Sequence, residues 1–361
     1  VSGGWSTWDE EFYWTVNVSA PDYVVAEINS TNFPDANFRN FLLSQSYGSD
    51  GKLYKSEIDG VKVLRLGNKN ITSLKGIEYF TALTELLCND NQLSSIDVSR
   101  NTALNWLTCS DNQLTSLDVS KNTALGTLSC GSNLFTTLDV SKNTLLESLT
   151  CPDGQIESII LPNSSSLKKI ECINNKLTSL DVSKNTGLTY LRLFGNQVVT
   201  LDLSKNTALE HLHCSNNKLT SLTLPNSNRL KYLYCWSNQL TSLDVSKNTA
   251  LLELQCNSNQ YSTLDVSKNT ALTKLSCGSS QLASIDVSRN TALTSLSISN
   301  AQLTSIDVSK NTALTSLTCS SNQLTTLDAS KNTKLTSLDC SYNQITIQGF
   351  VVSERSGETM K

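Results

Sequence analysis

The feature that most constrains this chain is the spacing of its cysteines. All eleven cysteines lie on a single grid with a step of 21 residues. They are Cys88, Cys109, Cys130, Cys151, Cys172, Cys214, Cys235, Cys256, Cys277, Cys319 and Cys340. The two grid positions without a cysteine hold Leu193 and Ile298. A position that accepts cysteine, leucine and isoleucine is an apolar core position, because a free thiol packs as a small hydrophobe.

This grid predicts a column of stacked thiols rather than a set of disulfides. On adjacent parallel strands about 4.8 Å apart, the α-carbons would lie within the range that a disulfide spans. However, parallel Cα–Cβ bonds and the odd number of cysteines disfavour regular bridges. A metal-binding or redox role is the alternative. We therefore expect a ladder of buried free thiols.

The segment from Leu83 to Ile347 repeats with the same period and without an insertion. One unit, residues 314–334, reads LTSLTCSSNQLTTLDASKNTK and matches the leucine-rich-repeat pattern L-x-x-L-x-L/C-x-x-N-x-L. A further unit, with Leu64 and Leu66 in the apolar positions, precedes these and brings the array to 14 rungs. Alternating apolar and polar residues predict a strand at each Leu-x-Cys segment. We expect a right-handed leucine-rich-repeat solenoid with a parallel β-sheet on its concave face and short extended or 3₁₀ segments on its convex face.

Polar columns also run through the repeat, and we interpret them as scaffold. An asparagine stands three residues after most ladder cysteines, as Asn112 follows Cys109, and its amide is expected to satisfy backbone groups in the turn. An aspartate column, with Asp118 as an example, would stack like charges along the solenoid. A lysine or arginine three residues later, here Lys121, is expected to offset that repulsion by at most about 1 kcal/mol per exposed pair.

The ends of the chain differ from the repeat, because the end rungs of a solenoid need caps. We divide the chain into an N-terminal arm or linker (1–28), a helical cap (29–63), the solenoid (64–347) and a C-terminal strand and tail (348–361). A short amphipathic helix is expected after Pro34. The stretch from Ser46 to Glu57 is spaced like an EF-hand loop, but only Asp50 supplies a carboxylate among its first three ligand positions. Asp50 and Glu57 are therefore weak calcium candidates in a degenerate loop.

The outward-facing positions of the predicted sheet change character in the middle of the array. In the outer rungs these positions are mostly serine, threonine and glycine, whereas between residues 169 and 255 they are mainly aromatic, charged or histidine. This central patch comprises Lys169, Glu171, Tyr190, Arg192, Phe194, His211, His213, Tyr232, Tyr234, Trp236, Glu253 and Gln255. Because neighbouring rungs lie about 4.8 Å apart, its side chains are expected to be contiguous. Aromatic and arginine anchors are typical of binding interfaces. Random drift of exposed positions is the alternative.

The 21-residue repeat with cysteine in a leucine position resembles the internalins, in particular the internalin J type with its cysteine ladder. It is also similar to leucine-rich-repeat surface proteins of gut anaerobes. The resemblance covers residues 64–347. It implies a bacterial cell-surface adhesin that binds host proteins or mucins through the concave sheet, and it leaves the ligand open.

The composition restricts the classes of partner that this chain is expected to bind. A net charge of −4 is too weakly acidic to favour nucleic acid or an anionic membrane surface, and no apolar run approaches the roughly 18 residues of a transmembrane helix. The chain begins at Val1, which we interpret as a processed product that is secreted or held at the bacterial cell surface. We expect a monomer without a cofactor that binds a protein of a host or neighbouring cell, a mucin or a glycan. A non-binding spacer within a larger surface protein is the alternative.

Catalysis is not expected, because the sequence shows no nucleophile–base constellation or paired carboxylates. His211 and His213 stand two residues apart on one strand face, yet zinc needs three or four ligands. We interpret both histidines as hydrogen-bonding contacts to a ligand. If that ligand is a glycan, Trp236 and Phe194 would stack on sugar rings.

Overall fold

A computed structural model describes residues 22–279 and 281–345. Most of the expected arm (1–28), and the expected C-terminal strand and tail (348–361), lie outside this described part. The described residues form a small N-terminal cap followed by a solenoid of parallel strands. None of the helices among them is long and apolar enough to cross a membrane.

The cap is built from β1 (Val24–Glu27), α1 (Ala36–Leu43), β2 (Lys52–Tyr54) and α2 (Lys55–Ile58). Strand β1 pairs antiparallel with β2, so the last residues of the expected arm belong to the cap sheet. Helix α1 begins soon after Pro34, because the carboxylate of Asp35 accepts the backbone N–H of Phe38 at 2.8 Å. The same carboxylate accepts the backbone N–H of Thr72 at 2.8 Å, which ties the helix to the first rung of the solenoid.

The solenoid consists of short strands that follow the repeat. In chain order they are β3 (Val63–Arg65), β4 (Glu85–Leu87), β5 (Trp106–Thr108), β6 (Thr127–Ser129), β7 (Thr137–Asp139), β8 (Ser148–Thr150), β9 (Ser158–Ile160), β10 (Lys169–Glu171), β11 (Tyr190–Arg192), β12 (Thr200–Asp202), β13 (His211–His213), β14 (Ser221–Thr223), β15 (Tyr232–Tyr234), β16 (Glu253–Gln255), β17 (Lys274–Ser276), β18 (Ser295–Ser297), β19 (Ser316–Thr318) and β20 (Ser337–Asp339), with a 3₁₀ helix at Ile77–Tyr79. Within the described ranges, fourteen of these strands form one parallel sheet in chain order. The pairs β7–β9 and β12–β14 form two small separate sheets. The predicted solenoid is confirmed.

The core of the solenoid is a stack of equivalent apolar columns. In one rung the middle strand residue, Leu212, is fully buried, and the ladder residue Cys214 is 1% exposed. The eleven cysteines are free, and all except Cys340 are buried. Burial raises the pKa of Cys109 to about 12, which keeps this thiol protonated and unreactive. The predicted thiol ladder is therefore confirmed.

Asparagine side chains join successive rungs on both sides of this core. The amide nitrogen of Asn112 donates to the backbone carbonyls of Cys88 and Cys109 at 3.0 and 3.2 Å. Its amide oxygen accepts the backbone N–H of Leu93 at 2.9 Å. In a second buried column, Asn122 donates to two backbone carbonyls of the preceding rung at 3.0 and 2.9 Å. The side chains thereby satisfy turn groups that the sheet leaves unpaired.

The aspartate column has a different role from the expected one. Asp118 accepts the backbone N–H of Ser120 at 2.9 Å, and this hydrogen bond is the main reason why the pKa of Asp118 lies below its usual value. The charge of Lys121 contributes less to the lowered pKa. Among the described residues, no ion pair joins the aspartate and lysine columns. The aspartates therefore cap a turn in each rung, as this side chain commonly does.

Two rungs of the regular 21-residue array lack the capping aspartate, and both contain a proline two residues later. Ile160 is followed by Pro162, and Thr223 is followed by Pro225. Proline has no N–H to cap, so an aspartate in the usual position would have no backbone donor to accept from. The residues before each proline form β9 and β14, which pair in regular register with the preceding rung.

One rung compensates for a missing asparagine. Position 280 holds serine, where the repeat would place an asparagine that donates to the carbonyls of Cys256 and Cys277. Tyr261, which replaces a core leucine of the repeat, is fully buried. Its hydroxyl lies 3.0 Å from the carbonyl oxygen of Cys256 and 2.7 Å from that of Cys277, and can donate to either. A tyrosine from another column thus replaces the expected amide.

Candidate ligand-binding surface

The central patch lies on β10, β11, β13, β15 and β16, which are consecutive neighbours in the sheet. The pairing register is regular, so Tyr190 stands beside His211 and His211 stands beside Tyr232. The middle residues of the five strands are buried, so the residues on either side of them point outward. All twelve predicted patch residues are half-buried, and the register brings them onto one face.

His211 is the centre of one cluster of rings. It stacks on Tyr190, with ring centroids 4.6 Å apart and planes 23° from parallel. The rings of Tyr232 and Tyr234 lie 5.8 and 5.4 Å from His211. The ammonium group of Lys169 lies 5.6 Å from the Tyr190 ring centroid, within the range of a cation–π contact. Rings from three consecutive rungs therefore form a continuous layer on the sheet.

A second cluster forms where Phe194 and Trp236 converge. These residues are two rungs apart, which corresponds to about 10 Å between their backbones, yet their ring centroids lie only 5.6 Å apart. The intervening rung carries Ser215 in the same column, and this serine is fully buried. The ring of His213 lies 5.2 Å from Phe194 and 6.4 Å from Trp236. The sequence prediction missed Ser215, although its small size between two aromatic residues of one column was a visible signal.

Glu171 bounds the patch toward the N-terminal rungs. Its carboxylate lies 2.5 Å from the ammonium group of Lys169 and 3.1 Å from the guanidinium group of Arg192. The glutamate side chain is 17% exposed and that of Arg192 is 32% exposed. Because both ends of the pair are partly shielded from water, the attraction between the carboxylate and Arg192 is screened less than that of a fully exposed pair.

Glu253 bounds the patch toward the C-terminal rungs. Its carboxylate accepts a hydrogen bond from the side-chain amide of Gln255 at 2.7 Å and lies 3.8 Å from the ammonium group of Lys274. Lys274 was left out of the predicted patch, although it follows Glu253 in the same column. Together, Glu171 and Glu253 place one carboxylate at each end of the aromatic rungs.

Burial keeps both histidines neutral. Burial, followed by the positive charge of Arg192, lowers the pKa of His213 to about 4. The same two causes lower the pKa of His211, and nearby glutamates partly oppose them. Burial also raises the pKa of Tyr234 to about 12. At neutral pH each imidazole therefore carries one donor nitrogen and one acceptor nitrogen.

Three nitrogen atoms of the patch have unused hydrogen-bonding capacity. Nδ1 of His211, Nε2 of His213 and Nε of Arg192 are buried and have no hydrogen-bond partner within the described part of the chain. Buried polar atoms in folded proteins normally have a partner. These atoms stand on adjacent strands beside the two ring clusters. A ligand could pair with them only after the side chains that cover these atoms move, and it would then displace no existing protein hydrogen bond.

The structure places both calcium candidates in the N-terminal cap. Asp50 accepts the backbone N–H of Lys52 at 3.0 Å, and Glu57 lies in α2. Within residues 22–279 and 281–345, no group of three or more histidine, cysteine or acidic side chains is placed to hold a metal ion. His211 and His213 are thus not part of such a group either.

The solenoid and its patterned sheet define the class of leucine-rich-repeat proteins. Among solved structures, the chain is similar to the functional domain of InlJ from Listeria monocytogenes, which includes a cysteine ladder. The two are 34% identical with a TM-score of 0.73, over 87% of this chain and 75% of that one. This chain therefore belongs to the internalin family, and the expected resemblance is confirmed.

Further solved structures share the fold. An internalin (InlF) from Listeria monocytogenes is 26% identical, with a TM-score of 0.67 over 89% of this chain and 93% of that chain. The leucine-rich effector protein YopM from Yersinia pestis shares the fold, at 24% identity and a TM-score of 0.61, with 78% of each chain covered. No protein-family model matches the chain, and no curated protein matches it.

Proposed function

We propose that this chain is a secreted or cell-surface binding protein that recognises a protein or glycoprotein through the central patch. Membership of the internalin family supports a role in binding at the bacterial surface. The expected partner is a protein of a host or neighbouring cell, or a mucin, engaged by a monomer.

The observation that carries the proposal is the combination of half-buried rings and unpartnered nitrogens on adjacent strands. His211, His213 and Arg192 each present a buried nitrogen without a partner. Rings of this kind supply contact area, and the nitrogens supply hydrogen bonds of fixed direction. In the outer strands β18 and β19 the equivalent positions are serine and threonine. The chemistry of an interface is therefore concentrated on a few adjacent rungs.

A protein ligand is favoured over a glycan at the patch itself. The ring of Trp236 packs against Phe194 and His213, and the ring of Tyr190 stacks on His211. Rings that already contact each other form a broad apolar surface rather than a free-standing platform for one sugar ring. A carboxylate at each end of this surface adds polar contacts at its rim, which is the usual anatomy of a protein interface.

The proposal is tested by replacing patch residues with those that the same columns carry in outer rungs. The patch variant combines Tyr190→Ser, Arg192→Thr, His213→Ser and Trp236→Ser. Purified wild type and variant are immobilised and exposed to an extract of host mucosal tissue. Captured proteins are then quantified by mass spectrometry, with excess soluble wild type as competitor. We expect at least one partner whose competed capture falls ten-fold or more in the variant.

A matched control variant carries four substitutions at outward positions of the outer rungs: Ser295→Ala, Ser297→Ala, Ser316→Ala and Thr318→Ala. We expect it to retain capture, and circular dichroism should show that both variants keep the fold. Equal recovery of every competed partner by wild type and patch variant would refute the patch. It would favour a spacer role instead.

A further inference from the structure

We infer that the sheet carries a second, separate site that binds a neutral saccharide. The site is an open cleft of about 420 Å³ on the rungs that follow the central patch. This volume lies within the range of about 300–1,000 Å³ that is typical of small-molecule sites. The cleft is lined by Asn238, Asn257, Ser258, Asn259, Gln260, Ser276, Gly278, Ser297, Ser299 and Asn300.

One residue of the cleft lining, Gly278, has no side chain. Gly278 follows Trp236 and Asn257 in the column one residue after the ladder. The backbone of Gly278 packs so closely on the next rung that an added Cβ would lie 1.9 Å from the carbonyl oxygen of Ser299. No other residue type therefore fits at position 278 without a shift of the backbone, so close packing of two rungs fixes this part of the cleft lining.

The lining specifies the chemistry of the ligand. Every lining residue is asparagine, glutamine, serine or glycine, so the walls offer amide and hydroxyl groups and no charge. A charged ligand would find no counter-charge, and an apolar ligand would leave these polar groups without partners. A hydroxyl group of a sugar both donates and accepts, as do the side chains of serine, asparagine and glutamine. A neutral polyhydroxylated ligand is the class that matches both properties.

Some of these polar groups are occupied by the scaffold, and others are free. Asn238 and Asn259 belong to the turn column, and their amides bind backbone groups. Asn257 accepts a hydrogen bond from the hydroxyl of Ser276 at 3.1 Å. Within the described residues, the side chains of Gln260 and Asn300 make no hydrogen bond and are exposed. These two amides belong to the lining of the cleft, where they can bind sugar hydroxyl groups.

The cleft borders the central patch but does not overlap with it. Trp236 precedes Asn257 by one rung in the same column, and the backbone N–H of Ser237 donates to the carbonyl of Asn257 at 3.0 Å. A glycan longer than the cleft would therefore run toward the indole of Trp236. The inference does not depend on the proposed function of the patch, because no residue of the cleft is a patch residue.

The test uses the full 361-residue chain and a panel of immobilised oligosaccharides. The panel contains neutral hexose and N-acetylhexosamine chains beside sialylated and sulfated ones. We expect saturable binding to a subset of neutral chains and none that requires the acidic groups. Calorimetry with the free oligosaccharide, and binding to a glycoprotein before and after enzymatic deglycosylation, then show which form of the glycan is recognised.

Two variants locate the site. Ser299→Trp fills the cleft with a residue that the same column already carries at Trp236, and should weaken saccharide binding at least ten-fold. Gln260→Leu keeps the size of an exposed side chain but removes its amide, and should weaken binding several-fold. Ser110→Trp makes the same change in the same column far from the cleft, and should leave binding unchanged.

The outcomes separate this inference from the proposed function. Absence of neutral-saccharide binding at millimolar concentrations would overturn the inference, as would binding that survives both cleft variants. Saccharide binding lost in a Tyr190→Ser, Arg192→Thr and His213→Ser triple variant, but retained in Ser299→Trp, would move the sugar to the patch and also overturn it. Loss of protein capture alone in the triple variant leaves the saccharide site in place.

Discussion

The central rungs and the outer rungs of this solenoid share one scaffold and differ almost entirely on one face. Leu212 on β13 and Leu317 on β19 are both fully buried, and both rungs belong to the same continuous sheet. The residues flanking Leu212 are histidines packed among tyrosine rings, whereas those flanking Leu317 are Ser316 and Thr318. Strand side chains alternate between the two faces of the sheet. The inward-facing side chains therefore maintain the fold, while the outward-facing side chains are free to change.

If the scaffold is equivalent throughout, truncating a core side chain should lower the free energy of unfolding by the same amount in the central rungs and in the outer rungs. Leu128→Ala in an outer rung and Leu212→Ala in a central rung each remove a fully buried side chain. We expect a loss of about 2–5 kcal/mol in the free energy of unfolding for each, measured by urea denaturation with circular dichroism. A much smaller loss at Leu212 would break the comparison, because it would show that the central rungs are packed differently.

The rung of Tyr261 tests whether a hydrogen bond from another column can replace the missing asparagine and keep the rung as stable as its neighbours. In Tyr261→Phe the carbonyls of Cys256 and Cys277 lose their shared donor inside the core. We expect a loss of about 1–3 kcal/mol, measured by the same denaturation experiment. The double change Tyr261→Leu and Ser280→Asn rebuilds the regular repeat and should unfold close to wild type. A Tyr261→Phe variant as stable as wild type would contradict the proposed repair.

A pH titration should distinguish the central rungs from the rest of the scaffold. The chain contains two histidines, so nuclear magnetic resonance can follow each of them separately. We expect His213 to titrate near pH 4 in the folded protein, because burial and Arg192 oppose its charge. A midpoint near the ordinary value of about 6.5 would show that the patch is more open to water than the ring contacts indicate.

The same shift predicts the direction of a stability change. Unfolded chains protonate histidine near pH 6.5, whereas the folded chain protonates His213 only near pH 4. The contribution of His213 to stability is therefore fully present above about pH 6.5 and is lost as the pH falls toward 4. His213→Ser should lack this part of the pH dependence, with Ser316→Ala in an outer rung as the control.

The smallest effects are expected at the turns that both regions share. Asp118→Ala removes the acceptor for the backbone N–H of Ser120 and should cost about 1 kcal/mol of unfolding free energy, similar to a helix cap. Asp118→Asn keeps an acceptor oxygen and should cost less. Lys121→Ala should change stability by at most a few tenths of a kcal/mol. If Lys121→Ala lowers the free energy of unfolding as much as Asp118→Ala does, the main role of Asp118 would be an ion pair with Lys121 rather than a turn cap.

Much of the patch could be predicted because the repeat determines which residues share a column. The period places Tyr190, His211 and Tyr232 side by side, and the pairing register agrees. The register does not say how far a long side chain leans along the sheet. For this reason the sequence prediction missed the burial of Ser215 and the pairing of Lys274 with Glu253.

The sequence alone therefore determined the solenoid and the column in which each residue stands, because an uninterrupted period permits a single stacking register. It also determined the thiol ladder, since the ladder position accepts cysteine, leucine or isoleucine without a change in burial. Tertiary structure decided the contacts that cross columns. Tyr261 reaches the carbonyls of two rungs, Asp118 binds the backbone rather than Lys121, and Phe194 meets Trp236 over Ser215. These contacts depend on distances between side chains of different rungs, which a repeat pattern does not contain.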